Sequence, residues 1–258
     1  MKMKNIIFLF ALSVIVLSSC SDSKTPTDPG GDSSSALLPS TVGSYWINSN
    51  VETTPPPTVT PVEDTRNTDS VVITGNGMYQ GRQATTQMTF VNGVAIDTSY
   101  FHQNANELYA YNAAIQTEFF SLPPGWVKLA DYNATSWKAF NDTTITNYQM
   151  EFDGQPATIN GTLKTNTVRG GTSSVQLDGK AYTATTFTTT VNINLVAKPT
   201  ALPIDIPLNF DVVTTIKHVK GLGVVSSETQ GFTFSVPLIG EVPTNGNSST
   251  LLRFKINP

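Results

Sequence analysis

Ile204-Asp205-Ile206-Pro207-Leu208-Asn209-Phe210-Asp211-Val212-Val213-Thr214-Thr215-Ile216-Lys217-His218 is the stretch that decides the fold. Ile204, Ile206, Leu208, Phe210, Val212, Thr214, Ile216 and His218 fall on alternate positions. Asp205, Asn209, Asp211, Thr215 and Lys217 fall between them. A period of two puts successive side chains on opposite faces of a strand, so this segment predicts a sheet packed on one side and wet on the other.

Working outward, the same rhythm returns. Arg82–Val91 and Val94–Gln103 flank Asn92-Gly93, a pair suited to the two positive-φ positions of a type I′ turn, and together they predict a hairpin. On its second strand Val94, Ile96, Thr98, Tyr100 and His102 share one face, while Ala95, Asp97, Ser99, Phe101 and Gln103 share the other. Thr250, Leu252, Phe254 and Ile256 repeat the alternation and are expected to close the sheet. Gly75-Asn76-Gly77, Asp153-Gly154, Gly170-Gly171 and Asp178-Gly179 read as turns. Helical periodicity is nearly absent, and the threonine-rich body favours a pleated surface. The expected fold is all-β: a large curved antiparallel sheet, a half-barrel or partly closed barrel. Gly81-Arg82-Gln83-Ala84-Thr85, Gly154-Gln155-Pro156-Ala157-Thr158 and Gly179-Lys180-Ala181-Tyr182-Thr183 each follow a turn and launch a strand. Two of these lead on to His102 and His218, which suggests a duplicated meander with halves near 68–115 and 165–230.

The 258 residues suit one ordinary domain or two small ones. Cys20 is the single cysteine, which excludes an intrachain disulfide and a Cys-based zinc site. With 15 basic against 19 acidic residues there is no electrostatic footprint for a phosphate backbone, and nucleic acid is excluded as the expected partner.

The N-terminus carries the most specific signal. Met1-Lys2-Met3-Lys4-Asn5 is basic, and the twelve-residue stretch Ile6–Leu17, apolar apart from Ser13, runs into Leu17-Ser18-Ser19-Cys20. As a helix that stretch reaches ~18 Å, short of the ~30 Å hydrocarbon core, so it reads as a secretory signal (1–19) and not a span. Leu17-Ser18-Ser19-Cys20 resembles the lipobox that the type II signal peptidase of bacteria recognises. By that resemblance Cys20 becomes the mature N-terminus, carrying diacylglycerol and an N-acyl chain such as palmitate, and the lipid bilayer becomes a partner through acylated Cys20. Two or three acyl chains exceed what stable anchoring needs. Loss of Lys2 and Lys4 leaves 13 basic residues against 19 acidic, a formal −6, so anionic lipid adds no attraction. Ser21 follows the cysteine and Asp22 comes one later, which by the same resemblance favours the outer membrane over the inner. Residues 20–37 then read as the lipidated cysteine and a flexible polar tether with an r.m.s. span of ~20 to 25 Å, and 38–258 as a single β-rich domain. Leu38-Pro39-Ser40-Thr41-Val42-Gly43-Ser44-Tyr45-Trp46, Asn106-Glu107-Leu108-Tyr109-Ala110-Tyr111 and Lys220-Gly221-Leu222-Gly223-Val224-Val225 are similar to pieces of β-rich bacterial envelope lipoproteins of unassigned function. The resemblance implies shape and carries no activity.

Chemistry is sparse. Gly-x-Ser-x-Gly, His-Glu-x-x-His, phosphate-loop and calcium-loop motifs are missing. His102 and His218 would ligate a metal only if their strands met near a carboxylate such as Glu107, and the simpler reading is two strand-end imidazoles hydrogen-bonded at the sheet rim. Asp131, Asp142, Glu151 and Asp153 are the carboxylates from which a glycan-hydrolase pair would have to come. Glu63-Asp64-Thr65-Arg66-Asn67-Thr68-Asp69 reads as a loop after Pro55-Pro56-Pro57. Asp69-Ser70-Val71 and Asp142-Thr143-Thr144 resemble acceptor sites for O-linked glycans. Trp46, Trp126 and Trp137 read as packing residues, or as a sugar platform if two rings are exposed together. No catalytic residue, metal site or cofactor is assigned. The expectation is a non-catalytic envelope lipoprotein that binds a partner (lipid, glycan or envelope protein) or an apolar ligand through one sheet face, the Ile204–Ile216 stripe lining a hydrophobic cavity in the latter case. The alternative is a tethered carbohydrate-binding accessory or glycan hydrolase.

Overall fold

The structure, a computed structural model, describes residues 36–112, 115–116, 121–122, 124–152, 155–200, 204–236 and 240–258. In chain order the strands are β1 (Tyr45–Thr53), β2 (Asn67–Tyr79), β3 (Arg82–Val91), β4 (Val94–Gln103), β5 (Glu107–Asn112), β6 (Ile115–Gln116), β7 (Ser121–Leu122), β8 (Gly125–Asp131) and β9 (Ser136–Trp137). They continue with β10 (Thr143–Phe152), β11 (Gln155–Leu177), β12 (Lys180–Pro199), β13 (Ile206–Val219), β14 (Gly223–Thr229), β15 (Phe232–Val236), β16 (Gly240–Thr244) and β17 (Gly246–Lys255). No helix occurs among the described residues, and every pairing is antiparallel.

Thirteen strands form one sheet in the order β10-β11-β12-β13-β14-β17-β1-β2-β3-β4-β5-β8, with β9 alongside β11. The expected all-β fold with a large antiparallel sheet is what the chain adopts. The sheet is not closed into a barrel. At its seam the Lys128 N–H donates to Ala139 O at 3.0 Å, Trp137 Nε1 donates to Lys128 O at 3.1 Å, and β9 pairs with β11 at Thr167 and Val168. A single connecting segment thus spans the gap between the β8 edge and the β11 side.

β13 follows its sequence rhythm. Ile206, Leu208, Val212, Ile216 and His218 are buried, and Asp205, Asn209 and Asp211 are exposed. The outward side is tied by Asn192 Nδ2 to Asp211 Oδ1 at 2.7 Å across the β12–β13 register. The inward side feeds two cores. One gathers Ile159, Leu163, Ile193, Leu195, Ile206 and Leu208, with Phe210, Phe232 and Phe234 packed on it. Phe210 and Phe232 stack at 4.6 Å, so the β15–β16 hairpin covers this half of the stripe. The other core surrounds Phe187, Trp46, Leu108 and Ile216. Burying one such aromatic side chain contributes about 2 to 3 kcal/mol, and the Trp46 indole N–H keeps a partner in Leu222 O at 2.9 Å. Leu37 and Leu38 join the same core, their N–H groups donating to Gln103 Oε1 at 2.7 Å each.

The Asn92-Gly93 hairpin has the expected bounds, with φ of 52° and 77° at its turn. Asp178-Gly179 turns likewise, at 48° and 75°. Two expected turns are bulges instead. Gly75 follows a register shift inside β2, and Gly170-Gly171 occupies the shift between Arg169 and Thr172 inside β11. An extra residue bends a strand, and beyond Gly170-Gly171 the β11–β12 tip lays Leu177 and Ala184 onto the Phe187 core. Asp153-Gly154 lies outside the described residues.

Bulges also correct two face assignments. Between Thr89 and Phe90 the partner shifts from Asp97 to Ala95, and the core-facing phase of β4 is that of Phe101, not of Ile96, which is 52% exposed. In β17 the register skips Leu252 between Arg253 and Leu251, so Leu251 is buried and Leu252 is exposed, while Phe254 and Ile256 pack on the core. β17 does join the sheet, between β14 and β1. On either side of it, β11-β12-β13-β14 and β2-β3-β4-β5 are consecutive meanders running in the same sense along the sheet. Their strands differ in length, and their histidines sit in unlike surroundings: one is buried and the other is half-buried on the outer face.

Candidate functional site

Alternation in β5 and β8 sends Leu108, Ala110, Val127 and Leu129 to the core and therefore Tyr109, Tyr111, Trp126 and Lys128 to the opposite, outer face. Register brings these side chains together with others. Tyr111 lies opposite Trp126, Tyr109 opposite His102, and Tyr79 opposite Arg82 across the Gln80-Gly81 turn, whose φ values of 45° and 77° make it tight. The result is a half-buried aromatic surface across β2, β3, β4, β5 and β8. Tyr79 and Tyr100 stack at 3.5 Å with planes 6° apart, and Tyr111 stands edge-on to Tyr79 at 5.0 Å and to Trp126 at 5.3 Å. His102 lies 5.7 Å from Tyr109 and 6.0 Å from Trp126. Arg82 Cζ sits 4.4 Å over the Tyr109 ring and 5.5 Å from that of Trp126. The frame is pinned by the Trp126 indole N–H donating to Gln80 O at 3.2 Å and by His102 Nδ1 against Gln83 O at 2.8 Å.

Beside this surface Lys128 Nζ holds Glu107 and, at 2.9 Å, Asp131. The Lys128 hydrogen bond keeps the Glu107 carboxyl below its usual range. Burial pushes Asp131 up, but Lys128 and the N–H groups of Asn133 and Ala134 outweigh it and hold that carboxyl low as well. Burial would lower Lys128, and its two carboxylates reverse this and raise it. Three groups locked in their charged forms brace the β5–β8 hairpin. An acid held ionised cannot protonate a glycosidic oxygen, so the pair is unsuited to that task.

The two histidines do not meet. β4 and β13 are separated in the sheet by β14, β17, β1, β2 and β3. His102 belongs to the aromatic surface, and Glu107 to the lysine cluster. His218 is not a rim residue: it is fully buried beside Phe187, with Tyr132 Oη 2.8 Å from Nδ1 and no hydrogen-bond partner for Nε2 among the described residues. Burial, with Lys220 nearby, takes its imidazole down to about 3. Among the described residues no three His, Cys, Asp or Glu side chains gather closely enough to hold a metal ion. Asp142 pairs with Lys138 at 2.7 Å on the surface. The side chain of Glu151, all of Asp153, and Cys20 lie outside the described residues. Ser70 is buried within β2, whereas Thr143 is half-buried at the start of edge strand β10.

Trp46 is core and Trp137 packs against it, so the packing reading holds for both, whereas Trp126 is half-buried among other half-buried rings on the outer face. Sequence reading missed Tyr79, Arg82, Tyr109 and Tyr111 as site residues. The signal that could have found them is the pair of period-two aromatics, Tyr100 with His102 and Tyr109 with Tyr111, once a hairpin fixes their faces.

No family model matches the chain, and no curated protein matches it. Two solved structures are similar. One, provisionally designated a lipoprotein of Parabacteroides distasonis, is 8% identical, with 85% of this chain and 98% of that one covered and a TM-score of 0.45. The other, provisionally designated an exported protein with a YmcC-like fold from Bacteroides fragilis, is 10% identical, with 85% and 99% covered and a TM-score of 0.37. At this level of likeness neither says anything about ligand or task.

Proposed function

We propose that this chain is a non-catalytic binding protein of the bacterial envelope, held at the outer membrane by acylated Cys20, and that its binding surface is the aromatic outer face around Trp126. The signal segment, the lipobox-like Leu17-Ser18-Ser19-Cys20 and Ser21 support the anchoring. One observation carries the choice of surface: five strands place six aromatic rings and a guanidinium on a face that the core does not use. An apolar ligand on the 204–216 stripe, part of the same expectation, would find that stripe filled. Ile206, Leu208 and Val212 are at most 3% exposed beneath side chains of the chain itself. Aromatic rings with polar tips suit a partner that is apolar on one side and wet on the other.

Labelled palmitate tests the anchor. Wild type should take up label and partition with outer-membrane vesicles, and Cys20→Ala should do neither. Equal labelling of both would sink the anchoring half of the proposal. For the surface, Trp126→Ala should abolish ligand-induced changes in intrinsic fluorescence, while Trp137→Phe should preserve them.

A further inference from the structure

We infer that the outer aromatic face takes a glycan carrying isolated carboxylate sugars, with Arg82 as the carboxylate receptor; this rests on the reading of that face as the binding surface. Arg82 Cζ lies 4.4 Å from the centre of the Tyr109 ring and 5.5 Å from that of Trp126, so the guanidinium is held between two aromatic side chains. A guanidinium packed on rings can keep N–H donors free, and these form the fork that a carboxylate meets with two parallel hydrogen bonds. Among the described residues Arg82 forms no ion pair, whereas the neighbouring Lys128 is held by two carboxylates, Glu107 and Asp131, a cluster with one net negative charge. Arg82 is therefore, among the described residues, a cation of this face without an ion-pair partner. Around it the Tyr111 and Trp126 rings, the stacked Tyr79–Tyr100 pair and the tyrosine hydroxyls match a pyranose, apolar on its C–H face and polar at its rim. The Trp126 N–H is already given to Gln80 O, so Trp126 has only its ring face to offer.

Charge selects among anions. The mature chain's formal −6 disfavours a polyanion or an anionic bilayer. One guanidinium suits one carboxylate set between neutral sugars.

Titration of the full mature chain with three defined probes tests this. They are a hyaluronan tetrasaccharide, in which uronate alternates with neutral sugar, chitotetraose as the neutral match, and tetragalacturonate as the dense acid. Hyaluronan tetrasaccharide should bind about tenfold or more tighter than chitotetraose at low salt, the yield expected of a charge-assisted hydrogen bond, and tighter than tetragalacturonate. Arg82→Gln should weaken hyaluronan tetrasaccharide far more than chitotetraose, so that the preference disappears. Arg82→Lys, which keeps the charge and loses the fork, should erase most of it. Trp126→Ala should weaken every probe. Equal affinity of wild type for the acidic and neutral probes, or an unchanged preference in Arg82→Gln, overturns the carboxylate assignment and spares the binding surface. No binding of any probe at millimolar concentration, or binding only to vesicles of anionic lipid, overturns the glycan itself.

Discussion

His218 makes the folded state sensitive to mild acid. Its imidazole is wholly buried, and burial takes it down to about 3 from the ordinary 6.5. Between those values the unfolded chain binds a proton that the folded chain refuses, so stability falls as pH falls. It is unaffected above 6.5 and drops by about 1.4 kcal/mol for each unit well below it. From pH 7.5 to pH 5 the loss is about 2 kcal/mol, a large share of the 5 to 15 kcal/mol that holds an ordinary domain together. Ordinary carboxylates titrate near pH 4, below this window, so the slope isolates the imidazole. Urea unfolding of a chain beginning at Ser21, followed by tryptophan fluorescence at half-unit steps of pH, measures it. In His218→Gln the slope between pH 6.5 and 5 should vanish, whereas His102→Gln should keep it. A flat wild-type profile, or the same slope in His218→Gln, would refute the reasoning.

Lys128→Met should destabilise the protein by about 2 kcal/mol at pH 7, between the cost of breaking an exposed and a buried ion pair. Because Glu107 and Asp131 are held low, the wild-type advantage exists above their unfolded values near 4 and should shrink as pH falls through the folded ones, which acid titration of both proteins checks. Gly161→Ala should cost about 3 kcal/mol in the same urea assay, since a Cβ there would lie 2.1 Å from Asn194 O at a φ of +151°. Gly81→Ala, at a φ of +77° but with open space around it, should cost about 1 kcal/mol.

Strands with unbroken alternation were legible in the sequence. β13 and the Asn92-Gly93 hairpin were fixed by period and turn chemistry, both local properties. What escaped was set by events between strands. A single inserted residue at Ile96 or Leu252 reverses which side chains face inward, and nothing in the local string distinguishes a bulge from a regular step. Gly75 and Gly170-Gly171 carry the composition of turns, yet sit where a long strand bends. His218 shares the phase of Ile216, which placed it correctly on the inner face. Its depth follows from Phe187 and Tyr132, remote in sequence. The aromatic surface draws on residues from 79 to 126, and its members become neighbours only when four strand pairings are in register.

β17 fastens the two meanders by pairing with β14 on one side and β1 on the other, so that residue 45 lies opposite residue 255. A polypeptide emerging amino end first must hold both wings ready, with bare edges at β14 and β1, until β17 follows them. Joining of the wings is therefore deferred until β17 itself has been made, and removing Gly246–Lys255 should leave two unjoined meanders prone to clump.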